Sequence, residues 1–194
     1  MEKDVEKAIP QLIEVEPVQD GYRWIAITAM LLAIGIILHT VSPNVGGVTP
    51  NWTIAMYSIV ICLVNPSLGQ ALGIGLVAGL TLVPSSKSAF PLGNLASEIS
   101  GAVTACILVK AMLAVGLGNW RFRSFLVGFL ATMVSGSVFT QIIRYILNLP
   151  MAVWFKAMLP VVLAVALVNG LVTYAMFGPV KRLFYMTDGK ESEK

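Results

Sequence analysis

The sequence predicts an all-α integral membrane protein, a bundle of six transmembrane helices with both termini cytoplasmic. Three observations carry that expectation. Of the 194 residues, 57% are hydrophobic and only 12% charged, and the mean hydropathy is +0.82, whereas a soluble domain carries about a quarter charged residues. A hydrocarbon core needs about 20 apolar residues per helix, so the length between a polar start and a polar end suits roughly six spans. Runs such as Ala102 to Leu117 are apolar on every side, which a transmembrane barrel with its alternating strands would not show.

The chain divides into a cytoplasmic N-terminal tail (1–21), a six-helix transmembrane domain (22–178) and a cytoplasmic C-terminal tail (179–194). The first tail is rich in acidic residues and broken by Pro10 and Pro17; it lacks the basic start of a secretory signal. The first span runs from about Tyr22 to Val41, with Tyr22 and Trp24 where an interfacial aromatic belt would stand. Ala29 and Ala33 lie one helical turn apart, so another helix can approach this face closely. The segment His39 to Trp52 holds prolines and a glycine pair that end the helix. Trp52 to Val83, read as one helix, would be a rod of roughly 48 Å, too long for the bilayer. It is therefore read as two short helices, Trp52 to Val64 and Leu68 to Val83, joined at Asn65 to Ser67.

Three longer spans follow, at about Leu95 to Leu117, Phe122 to Asn148 and Phe155 to Phe177. Breaks are expected at Gly116 to Arg123 and at Leu149 to Trp154, and Gly178-Pro179 is expected to stop the last helix. With six spans and the termini inside, most Lys and Arg fall on the cytoplasmic side, as the positive-inside rule requires. Lys110, within the fourth span, is read as snorkelling to the inner interface. Cys62 and Cys106 fall in apolar segments and read as small buried hydrophobes.

The stretch Leu82 to Gly101, LVPSSKSAFPLGNLASEISG, interrupts this apolar sequence with prolines, a lysine, an asparagine and a glutamate. Such a cluster must leave the bilayer or line a cavity within it. Together with His39 to Trp52 and Asn148 to Trp154 it lies on the expected outer side, and interrupted helices mark binding sites in transporters. Glu98 is the sharpest candidate, because a carboxylate in a low-dielectric site needs a partner: Lys87, Arg144 or a ligand ammonium. Arg144 suits a carboxylate through its planar fork. Asn94, Asn51 and Gln141 offer neutral hydrogen bonds, His39 is a further possible contact, and Trp52, Phe90, Tyr145 and Trp154 offer aromatic surface for a planar ligand.

With one histidine in the chain and no ligand spacing or paired intramembrane carboxylates, no catalytic residues, metal ligands or cofactor are expected, and the chain does not read as an enzyme. The net charge of +3 gives no reason to expect nucleic acid. The partners expected are a small-molecule substrate and membrane lipid, and the location is the cell membrane.

The length, the six-helix topology and Ala29-x-x-x-Ala33 together resemble the substrate-binding S-components of energy-coupling factor (ECF) transporters. Within that family the chain looks most like the tryptophan transporter TrpP group. The likeness lies in LHTVSPNVGGVTPN, Leu38 to Asn51, and in Thr81 to Asn94 with its Phe90-Pro91 and Gly93. The chain departs from the group's pattern at Asn51, where an acidic residue often follows the proline, and in a less glycine- and glutamine-rich segment after Phe90-Pro91. The resemblance implies uptake driven by ATP that never touches this chain. The S-component would capture tryptophan outside, then dock through Ala29 and Ala33 on a T protein carrying two cytoplasmic ATPases. A vitamin or other planar heterocycle as ligand, an ion-coupled secondary transporter, and a scaffold that binds nothing small are the competing readings.

Overall fold

A computed structural model of the chain describes residues 23–43, 51–116 and 119–186. The N-terminal tail (1–21), most of the His39 to Trp52 loop (44–50) and the last residues (187–194) lie outside the described residues. Seven helical elements follow one another: α1 (Arg23–Val41), α2 (Trp52–Val64), α3 (Leu68–Leu82), α4 (Gly93–Ala114), α5 (Trp120–Ile146), α6 (Met151–Val153) and α7 (Leu159–Met186). A π-helical turn, Trp154–Met158, joins α6 to α7 into one continuous rod. Four spans are long and apolar enough to cross a membrane, Trp24–Val41, Gly93–Ala114, Trp120–Ile146 and Met151–Leu183, with α2 and α3 as shorter apolar helices. The protein is an all-α, multi-pass membrane protein.

α2 is the axis of the bundle. Every residue from Thr53 to Cys62 is buried, and the helix packs against α1, α4, α5 and α7. A 13-residue helix spans only about 20 Å, and it can be this short because its neighbours surround it and keep its ends from the lipid. Asn65, in the left-handed region at φ 45°, closes α2, and a reciprocal Ser67–Gln70 capping box opens α3. The two-short-helix reading of Trp52 to Val83 therefore holds, because the capping box supplies acceptors for orphan N–H groups that the break exposes.

Three boundaries differ from expectation. α5 starts at Trp120 because the Asn119 side chain accepts from the Arg121 and Phe122 amides at 3.1 and 3.3 Å. The last rod begins at Met151, directly after Pro150, not at Phe155. The π turn precedes Pro160, which lacks an N–H and would crowd the carbonyl four residues back; the wider turn relieves that, with Leu159 N–H donating to Trp154 O. Finally, Gly178-Pro179 does not stop the helix. α7 carries Pro179 in its interior and continues to Met186, as membrane helices can when packed neighbours compensate the lost bond. Lys110 is exposed, with Nζ 3.4 Å from Asn65 Oδ1 at the α2–α3 turn.

Glycines let α3 and α4 meet backbone to backbone. A Cβ at Gly75 would stand 2.6 Å from Ile99 Cα, while one at Gly73 would meet nothing within 4 Å. Gly75→Ala is expected to destabilise the bundle by about 1–3 kcal/mol through overpacking, and Gly73→Ala to leave it unchanged. Thermal unfolding of the two variants in detergent measures the difference.

Candidate binding cavity

The turn between α3 and α4 is wound by its own side chains. Ser86 Oγ accepts from Ser88 N, and Ser88 Oγ accepts from Phe90 N, which holds Lys87 between them. Pro91 O then accepts from both the Asn94 amide (3.1 Å) and Asn94 Nδ2 (2.9 Å). This bond fixes Asn94 in the first turn of α4, one turn before Glu98.

Glu98 is 1% exposed. Its Oε1 accepts from Asn51 Nδ2 at 2.6 Å, and Asn51 also caps α2 through Oδ1, which accepts from Thr53 N. Among the described residues Glu98 Oε2 is buried without a hydrogen-bond partner. The Tyr57 hydroxyl and Ser135 lie beside the carboxylate. Gly101 makes room for that hydroxyl, since a Cβ there would collide with it.

A cavity of about 260 Å³ opens onto this carboxylate, near the lower end of the roughly 300–1,000 Å³ typical of ligand pockets. α1 contributes His39; α2 and its cap contribute Asn51 and Ile54; the turn contributes Ser86, Lys87 and Ser88; α4 contributes Asn94, Ser97 and Glu98. α5 lends the stripe Thr132, Ser135, Gly136, Phe139 and Thr140, and α7 adds Val161, Val162 and Val165. One side is thus polar, with a carboxylate and a lysine, and the other is walled by Phe139 and branched aliphatics.

Five of the residues expected from the sequence meet at this cavity: Glu98, Asn94, Asn51, Lys87 and His39. Six others lie elsewhere. Arg144 Nε donates to Gln141 Oε1 at 2.7 Å and Nη1 reaches Leu149 O at 3.4 Å, so this cation serves the C-terminal end of α5, where the helix dipole favours it. Gln141 is occupied by Arg144 and approaches Met151 Sδ. Tyr145 is 78% exposed. Trp52 Nε1 donates to Ser42 Oγ at 2.6 Å and ties the start of α2 to the end of α1. Trp154 Nε1 donates to Thr140 Oγ1 at 3.0 Å, behind the cavity wall, and stacks edge-on against Phe155. Phe90 packs with Phe139 over the bare face of Gly93.

The α5 stripe and the valines of α7 are absent from the sequence reading. A signal for α5 does exist: Thr132, Ser135, Gly136, Phe139 and Thr140 recur at i, i+3, i+4, i+7 and i+8, one face of a helix. Nothing local distinguishes the valines from lipid-facing ones. Ala29 and Ala33 are both exposed on α1, and Ala29 borders an apolar groove that also includes Gln70, Gly73 and Val77 of α3. Among the described residues no group of three or more His, Cys, Asp or Glu could hold a metal ion.

Fold and cavity together define a multi-pass helical membrane protein with an internal amphipathic pocket. The chain belongs to the tryptophan transporter TrpP family, whose sequence pattern it matches over residues 22–185. It is 30% identical over 159 residues to a probable tryptophan transport protein of Clostridium acetobutylicum, covering 80% of this chain and 90% of that one. A probable tryptophan transport protein of Clostridium perfringens is 32% identical over 170 residues, 81% of this chain and 92% of its own. One from Bacillus subtilis is 27% identical over 173 residues, 88% of this chain and 97% of its own. No solved structure matches the chain.

Replacing Asn51 by Leu leaves both Glu98 oxygens without a partner. A buried acceptor stripped of its donor costs about 1–3 kcal/mol, and the α2 cap is lost as well, so Asn51→Leu is expected to lower stability by at least that amount. Adding Glu98→Leu is expected to recover part of the loss, and unfolding of the single and double variants tests the coupling.

Proposed function

We propose that this protein is the substrate-capture subunit of an ECF-type importer and that it binds tryptophan in the cavity beside Glu98. The observation that carries the reading is a buried carboxylate with one oxygen unpaired, facing an amphipathic cavity. An uncompensated charge there is costly, and the α-ammonium of an amino acid supplies the missing donors as a charge-assisted bond.

The rest of the ligand follows from the walls. The carboxylate end goes to Lys87, with Ser86 and Ser88 beside it, rather than to Arg144, whose guanidinium is engaged at the end of α5. The indole lies against Phe139 and the Val161, Val162 and Val165 wall, where its area is removed from water. Trp52 and Trp154 support the frame instead of stacking on the ligand. Membership of a tryptophan transporter family and the names of the curated relatives support the choice of tryptophan.

Delivery inward would then require a partner. Ala29 and Ala33 are exposed beside a shallow apolar groove, and small residues at such a surface let a second helix approach closely. In this reading a T protein carrying two ATPases docks there, and ATP is consumed outside this chain.

Calorimetry on the purified chain tests the capture step. Tryptophan is expected to bind, Glu98→Gln and Lys87→Ala to weaken it at least tenfold, and Arg144→Ala to leave it unchanged. Failure of tryptophan beside tight binding of a vitamin would replace the ligand. In cells, Ala29→Leu with Ala33→Leu is expected to abolish uptake while tryptophan affinity is retained. Uptake by the chain reconstituted alone with an ion gradient would contradict the ECF reading.

A further inference from the structure

The polar network around Glu98 extends beyond the cavity, into the interior of α7. Asn169 is 0% exposed and lies seven residues beyond the cavity-lining Val162 on the same face of the rod. Its Nδ2 donates twice, to the backbone carbonyl of Asn51 at 3.0 Å and to Thr132 Oγ1 at 3.1 Å. Thr132 in turn donates to Gly128 O at 2.7 Å, so its oxygen is free to accept. The Asn169 backbone carbonyl accepts from Thr173 Oγ1 at 2.7 Å. Gly128 permits the approach, because a Cβ there would collide with Thr173 Oγ1.

Asn51 is therefore held from three sides: its Oδ1 by Thr53 N, its Nδ2 by Glu98, and its carbonyl by Asn169. The last contact alone ties it to α7. We infer that Asn169 is a positioning residue for substrate recognition: by holding the Asn51 backbone it aims Asn51 Nδ2 at Glu98 Oε1 and so sets the orientation of the carboxylate that borders the cavity and would receive the ligand's ammonium. The role rests on the capture reading above. Asn169 does not line the cavity; it acts through Asn51, and it also holds Thr132, which does line it.

Such a residue has a signature that a packing role lacks. Its loss falls on ligands that carry an ammonium and spares those that do not. The full-length chain in detergent is titrated with tryptophan, tryptamine and indole-3-propionate, which share the indole but differ in ammonium and carboxylate. Asn169→Ala is expected to weaken tryptophan and tryptamine about tenfold, roughly the worth of one buried hydrogen bond, and indole-3-propionate less than threefold. Equal weakening of all three, or of none, overturns the inference.

Should Asn169→Ala fail to fold, Asn169→Asp keeps the size but turns a carboxylate oxygen on the Asn51 carbonyl, and the same selective loss is expected. If the unaltered chain binds none of the three, the capture reading fails on its own, and the positioning claim is decided by stability. The unfolding midpoints of Asn169→Ala, Asn51→Ala and the double variant then apply. Losses that fall short of additive support the link, and additive losses overturn it.

Discussion

The bond from Asn51 Nδ2 to Glu98 Oε1 is the interaction on which the arrangement of this bundle depends. Carboxylates are seldom fully buried unless paired, and Glu98 is buried among α2, α4 and α5 with Asn51 donating to it at 2.6 Å. That donor comes from the residue that also caps α2, so forming the central helix and giving the carboxylate a hydrogen-bond partner are one event. Asn169 and Thr132 extend the same network to α7 and α5. Four elements are thereby held at a common point.

Close packing makes that convergence possible. Gly75 and Gly79 bring α3 onto α4, Gly101 admits the Tyr57 hydroxyl, and Gly128 lets α5 approach α7. In lipid, where apolar surface gains nothing by leaving one hydrocarbon for another, such contacts and the buried hydrogen bonds carry helix association. The same glycines hold α4 and α5 close on either side of the cavity, so stability and site share one set of residues.

The cavity is asymmetric, as the proposed zwitterionic ligand with an aromatic side chain would require. Glu98 and Lys87 stand on its polar side, and Phe139 with three valines forms the other. The aromatic residues that looked best suited to stacking, Trp52 and Trp154, spend their indole N–H groups on Ser42 and Thr140 and serve the scaffold instead. The exposed alanine face of α1 lies apart from this cavity.

The membrane class, the run of helices, the break of Trp52 to Val83 at Asn65 to Ser67 and the candidacy of Glu98 were all legible along the chain, because each rests on local chemistry. Apolar length dictates a span, proline and asparagine punctuate it, and a carboxylate in an apolar setting demands a partner wherever it folds. Which partner it finds is not local. That Asn51 rather than Arg144 answers Glu98, that five residues of α5 and three of α7 wall the cavity, and that Asn169 supports it from 118 residues away follow only from how the helices cross. Likewise Pro179 reads as a stop in isolation, but packing carries α7 through it. The sequence by itself determined which segments enter the membrane and which side chains cannot stay there unpaired, since these are transfer costs of individual groups. Tertiary structure alone decided who pairs with whom, since helix rotation and crossing are set by contacts between segments distant in the chain.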